Sequence, residues 1–148
     1  EDRSPAVLGA GADVAMSMVS HGARVDGTVR NSVLFPGVHV GAGAVVEDSI
    51  VMHDARVLSG ARVARAIVDK NVVIGAGAHL GAGESVPNRE FPRDLSSGLC
   101  VVGKGSEVPR GARIGKNTLI EIGVGVEDYP GAEIPSGSVV RPRARGAA

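Results

Sequence analysis

The chain has 148 residues, a single-domain length, and its 16 basic and 16 acidic side chains leave no formal net charge. That balance removes the electrostatic case for nucleic acid or an anionic membrane as a partner. A lone cysteine, Cys100, excludes an internal disulfide and, lying in an apolar run, reads as a buried thiol; a reducing cytoplasm fits, and no apolar stretch approaches the roughly 20 residues of a membrane span.

Glycine supplies 22 residues while aromatics make up 2% and hydrophobic residues 43%, which implies a repetitive β architecture with a narrow core rather than disorder. The chain opens on Glu1 rather than Met and enters a turn-and-strand pattern almost at once, as a piece of something longer would. Val14 to Thr28 forms a first, shorter unit. Three units of equal length follow, Val29 to Val45, Val46 to Arg62 and Val63 to His79. A short fixed period of this kind marks a solenoid, in which each unit buries its apolar face only by stacking on its neighbours.

Three apolar columns run through the units: Val14, Val29, Val46, Val63; Val19, Leu34, Val51, Val68; and Val25, Val40, Val57, Ile74. Three anchors per unit predict a three-sided coil. Turn residues that tolerate positive φ recur in two corner columns, Gly22, Gly37, Asp54, Asn71 and Gly43, Gly60, Gly77. The column Ser17, Ser32, Ser49, Ala66 is small, as a tight interior requires. Helices are excluded by the recurring glycines and by a spacing that is not 3.6.

The coils are expected over residues 8–83. Glu84 to Gly98, with two prolines and several charges, reads as a surface loop. Further coils over 99–140 resume with Val102, Val108, Ile114 and Ile120 and end in a partial coil, Ile134 to Val140. The tail, 141–148, carries Arg141, Arg143 and Arg145 and reads as a solvated terminus.

An aliphatic residue every six positions, followed by glycine or another small residue, resembles the hexapeptide repeat family. The resemblance implies an all-β fold, a left-handed parallel β-helix. Acyltransferases on that fold use a catalytic histidine, for which His21, His39, His53 and His79 are the candidates. Their places beside anchors and at a corner read instead as solvated surface. A zinc enzyme similar to the γ-class carbonic anhydrases needs converging histidines, usually two of them five residues apart, and no such pair exists.

The stretch Ser32 to Gly75, above all Arg65-Ala66-Ile67-Val68-Asp69-Lys70-Asn71, resembles the C-terminal part of ADP-glucose pyrophosphorylases, the glucose-1-phosphate adenylyltransferases. Ser97 to Lys104 is similar to that family's Ser-Gly-Ile segment ending in a basic residue. The resemblance implies a regulatory and oligomerising domain. Its N-terminal catalytic domain, which converts ATP and glucose 1-phosphate to ADP-glucose and pyrophosphate with Mg²⁺ for glycogen synthesis, lies outside this sequence. A homo-oligomer, tetrameric in the parent family, and an anionic metabolite effector are further implied. No catalytic residue, metal or cofactor is assigned to this chain. Lys70 and Lys104 match the family's basic effector positions, and lysine occurs elsewhere only at Lys116. His53, one coil below Lys70, could add charge; Arg65 and Asp69 sit on the Lys70 coil. Gly103, before Lys104 in a regular hexapeptide, leaves open whether that lysine points along the solenoid or into a cleft. A hexapeptide acyltransferase is the alternative function.

Overall fold

Strands of two or three residues, each ended by a turn, are too short to stand alone. Their backbone groups are satisfied only if successive coils lie on one another. The computed structural model, which describes residues 2–143, arranges the chain in this way as three parallel sheets of six, seven and seven strands. The first face holds β1 (Val7–Leu8), β4 (Arg24–Val25), β7 (His39–Val40), β10 (Arg56–Val57), β13 (Val73–Ile74) and β16 (Glu107–Val108). The second holds β2 (Asp13–Ala15), β5 (Thr28–Arg30), β8 (Val45–Glu47), β11 (Arg62–Ala64), β14 (His79–Ala82), β17 (Arg113–Gly115) and β19 (Glu133–Ile134). The third holds β3 (Met18–Val19), β6 (Val33–Leu34), β9 (Ile50–Val51), β12 (Ala66–Val68), β15 (Cys100–Val102), β18 (Leu119–Ile120) and β20 (Val139–Val140).

The three anchor columns are in register as expected, with Val29 against Val46, Leu34 against Val51 and Val40 against Val57. Val102, Val108, Ile114 and Ile120 continue them below the loop. From Val25 onward the anchors form one buried core; Val14 and Val19, in the first coil, are only partly covered. Each fully buried Val, Leu or Ile contributes roughly 1.5 to 3 kcal/mol, so the fold rests on the column rather than on any one member. Cys100 is buried, its thiol donates to the Gly115 carbonyl at 3.2 Å, and burial raises its pKa.

Both expected corner columns adopt positive φ, from Gly22 at 73° to Asn71 at 58° and from Gly43 at 71° to Gly77 at 69°. A further corner column, between the second and third faces, was not apparent from the sequence: Met16, Asn31, Asp48 and Arg65, at φ 51°, 47°, 52° and 50°. Beside it the small column does more than save space. The Ser17, Ser32 and Ser49 hydroxyls each accept the backbone N–H one coil on, at 3.1 Å, and each donates to a carbonyl of its own corner at 2.8 Å.

Between Ala82 and Cys100 the chain leaves the sheets, as expected, but the excursion is tied down. Asn88 is buried; its amide nitrogen donates to the Asn117 carbonyl at 2.8 Å and the Ser138 carbonyl at 3.1 Å, and its oxygen accepts from the Glu90 and Phe91 amides. Asn117, also buried, receives the Gly98 N–H at 2.7 Å and donates to Ser85 and Val86. The tail reading needs correcting for Arg141. It pairs with Glu90 of the loop at 2.7 Å and Glu121 at 2.8 Å, because the loop folds back over the last coils. The Arg143 N–H bonds Asp128 at 2.9 Å, while Arg145 lies outside the described residues. A short 3-10 turn, Val126–Asp128, closes this end, and buried Tyr129 donates its hydroxyl to the Glu107 carbonyl at 2.8 Å. The opposite end is open, leaving Val7, Leu8, Met16 and Met18 exposed. No helix among the described residues is long and apolar enough to cross a membrane.

A candidate effector corner

The corner between the third and first faces is built by one backbone bond per coil. The Gly37 N–H donates to His21, Asp54 to Pro36, Asn71 to His53, Gly105 to Lys70 and Gly123 to Lys104. His53, Lys70 and Lys104 therefore occupy one column in three successive coils, separated by the ~4.8 Å of neighbouring strands. The sequence placed His53 beside Lys70; that Lys104 is the next rung emerges only once the loop is seen to leave the stack. Lys70 and Lys104 are exposed.

Asp69 fixes Lys70 twice, one carboxylate oxygen accepting both the Lys70 backbone N–H at 2.7 Å and its ammonium at 3.1 Å. The backbone N–H, then the Lys70 side chain and the more distant Lys104 charge, hold the Asp69 carboxyl below the usual carboxylate range, against a smaller opposing effect of burial. Lys104 has no carboxylate within 4.0 Å among the described residues. Two stacked ammonium groups facing one carboxylate leave a net positive corner, suited to a phosphate or carboxylate ligand.

Upstream on the same corner, residues Asp2, Arg3, His21, Pro36 and His53 enclose a hollow of about 440 Å³. Arg3 crosses it to clasp Asp54 through both nitrogens, at 2.6 and 3.0 Å, and that hydrogen-bonded pair lowers the Asp54 pKa. The clasp passes so close to Gly37 that a β-carbon there would lie 2.0 Å from the Arg3 guanidinium. The expectation of four solvated histidines holds for His21 and His39, which are exposed, and fails for the others. His53 is partly buried, with its ring edge-on to Phe35 at 5.2 Å and Nδ1 buried without a hydrogen-bond partner among the described residues. His79 is partly buried on the second face; burial first, then the Arg62, Arg113 and Lys116 charges, lower its pKa.

Arg65 does not join this group. It stands at the opposite end of β12 from Lys70, on the corner between the second and third faces. There it lines a cleft with Lys116, Arg62 and His79, of which the sequence singles out only His79 as a candidate. The signal was present in the register: Arg62, His79 and Arg113 each precede an anchor of the same column.

Comparison with known proteins bears on this arrangement. Residues 7–102 match the family model for the GlmU-like C-terminal hexapeptide region. Among curated proteins, glucose-1-phosphate adenylyltransferase from Thermomicrobium roseum is 50% identical over 96% of this chain and 34% of its own length. The enzyme of that name from Acetivibrio thermocellus is 39% identical over 90% of this chain and 31% of its own length. The chain thus spans about a third of the relatives it matches. Among solved structures, the acetyltransferase domain of PglB from Neisseria gonorrhoeae, in complex with acetyl coenzyme A, overlaps at a TM-score of 0.44 and 21% identity, covering 95% of this chain and 58% of that one. A family match over residues 7–102, on a three-sided coil with its anchors in register, is decisive: this chain belongs to the GlmU-like C-terminal hexapeptide family.

Proposed function

We propose that this chain is the regulatory and assembly region of a cytoplasmic glucose-1-phosphate adenylyltransferase of glycogen synthesis, and that an anionic metabolite binds at Lys70 and Lys104. The observation that carries the reading is the stacking of those two lysines on adjacent coils, with Asp69 orienting one of them and His53 on the rung before. Identity of up to 50% to enzymes of that name supports the parent assignment. In this reading the transfer of the adenylyl group belongs to a nucleotidyltransferase domain outside this chain, which would hold ATP and Mg²⁺.

That domain, and the other subunits of a tetramer, need a surface to rest on. The outer column of the third face supports one: Met18, Val33, Ile50, Ile67, Val101, Leu119 and Val139 run down it in register. The second face, by contrast, presents Arg62, His79 and Arg113.

The test is effector activation of the full-length parent. Lys70→Ala and Lys104→Ala should each raise the half-activating concentration roughly tenfold while the unactivated rate changes little. Activation curves unchanged in both variants would reject the effector corner.

A further inference from the structure

On the second face, β11, β14 and β17 place Arg62, His79 and Arg113 directly opposite one another in the ladder. The two guanidinium groups stand on either side of the His79 ring, and burial, then their charges, hold the imidazole pKa below its ordinary value. At the neighbouring corner Arg65 holds a left-handed φ of 50°, where Asn31 and Asp48 stand in the two coils before. Met16 holds the same conformation in the first coil, so the corner accepts a long side chain, and here it carries a cation to the edge of a cleft. Lys116 comes from the corner after β17. Gly98 is wedged between the two, since a β-carbon there would lie 3.6 Å from the Arg65 Nε and 3.8 Å from the Lys116 Cδ.

Arg62, Arg65, His79 and Lys116 bound a cleft of about 360 Å³. Its wall is the irregular end of β14, where the register shifts between Leu80 and Ala82. Gly81 lies so near β11 that a β-carbon would come within 2.3 Å of the Ala64 carbonyl. Two carboxylates share the cleft lining with three cations: Glu47 accepts from Arg62 at 3.1 Å and Asp48 from the Asn31 amide at 2.8 Å, while Glu133 sits beyond Arg113. Arg65 and Lys116 have no carboxylate within 4.0 Å among the described residues.

We propose that this corner cleft, bounded by Arg62, Arg65, His79 and Lys116, binds a phosphoryl group, either as the free ion or carried on a small metabolite. A guanidinium and an ammonium without carboxylate partners, Arg65 and Lys116, supply the fork and the point charge that phosphate oxygens take, with the His79 imidazole and the Arg62 guanidinium on the same cleft. The site lies across β12 from Lys70 and Lys104 and does not depend on the effector reading.

His79 is the built-in reporter. In the 148-residue chain, its ring resonances are followed by NMR during titration with inorganic phosphate, against sodium chloride at matched ionic strength. The expected result is a saturable shift at His79, with a rise in its pKa as the bound anion offsets the surrounding cations. In the double variant Arg65→Asn, Lys116→Gln the affinity should fall roughly tenfold or more. Asn suits the corner because Asn31 already adopts it. Lys70→Ala should leave the response intact, which separates this site from the effector corner. Glycerol 3-phosphate in parallel identifies the source: tighter binding than phosphate points to a metabolite, weaker binding to the free ion. A His79 response no larger than with chloride, one shared equally by His21 and His39, or one preserved in the double variant would overturn the proposal.

Discussion

Ser49 shows how much a single hydroxyl can do in a coil this narrow. It is buried, accepts the Ala66 N–H and donates to the Glu47 carbonyl, so it satisfies the backbone of two coils at once. Ser49→Ala fits sterically, as Ala66 in the same column demonstrates, but strands a buried donor and acceptor. We expect a loss of about 1 to 3 kcal/mol in denaturant unfolding. Ser17→Ala, at the less covered first rung, should cost less. The sequence displayed this column as small and no more. Size is legible from residue type, whereas a hydroxyl's partner lies one coil away and depends on the corner turning at the right angle. The same limit hid the Met16, Asn31, Asp48, Arg65 corner: glycine announces a positive φ, but Met and Arg do not.

At the scale of the element, the instructive piece is the excursion between β14 and β15. Its prolines and charges made its departure legible; its anchorage was not, because the groups that hold it are carbonyls and amides of residues 117 and 138, far along the chain. Asn88 bonds both carbonyls with its nitrogen and caps the following turn with its oxygen. Asn88→Ala removes all four bonds while leaving the sheets untouched. Limited proteolysis should then cut within residues 86–96 many times faster than in the parent chain, with the overall unfolding midpoint shifted far less than by Ser49→Ala. Equal cleavage rates in the two proteins would show that Arg141 and its carboxylate partners hold the loop without Asn88.

For the whole molecule, the two ends of the prism differ. One is closed by the Val126–Asp128 turn and Tyr129, the other ends on exposed Val7, Leu8, Met16 and Met18. In a stack whose units touch only their neighbours, stability is a sum of local and nearest-neighbour contributions, so opening proceeds from the less protected end. Hydrogen exchange should be fastest in β1 to β3, slowest from β11 to β14, and intermediate toward β20. Uniform protection across all three regions would contradict the picture. The three-sided architecture was legible from the sequence because period, small residues and turn residues all agreed on it. The grouping of candidate residues was legible only in part. Lys70 and His53 are one repeat apart and were placed together, while Arg65, adjacent in sequence to the same segment, lies on another edge of the prism.

The loop carries one more consequence. Within the stack, Ile50 pairs with Ile67, seventeen positions on. Across the excursion, Ala66 pairs with Cys100, thirty-four positions on. The extruded segment therefore has the length of one complete turn: it is an in-frame insertion in the geometric sense, and the phase of the repeat passes through it unchanged. From Val29 to the loop, and across it as far as Ile114, counting by seventeen fixes the side of the prism on which a residue lies; the first unit is two residues shorter. Lys70 and Lys104 differ by two such counts, as do His79 and Arg113, and this arithmetic makes neighbours of residues that the linear chain keeps apart.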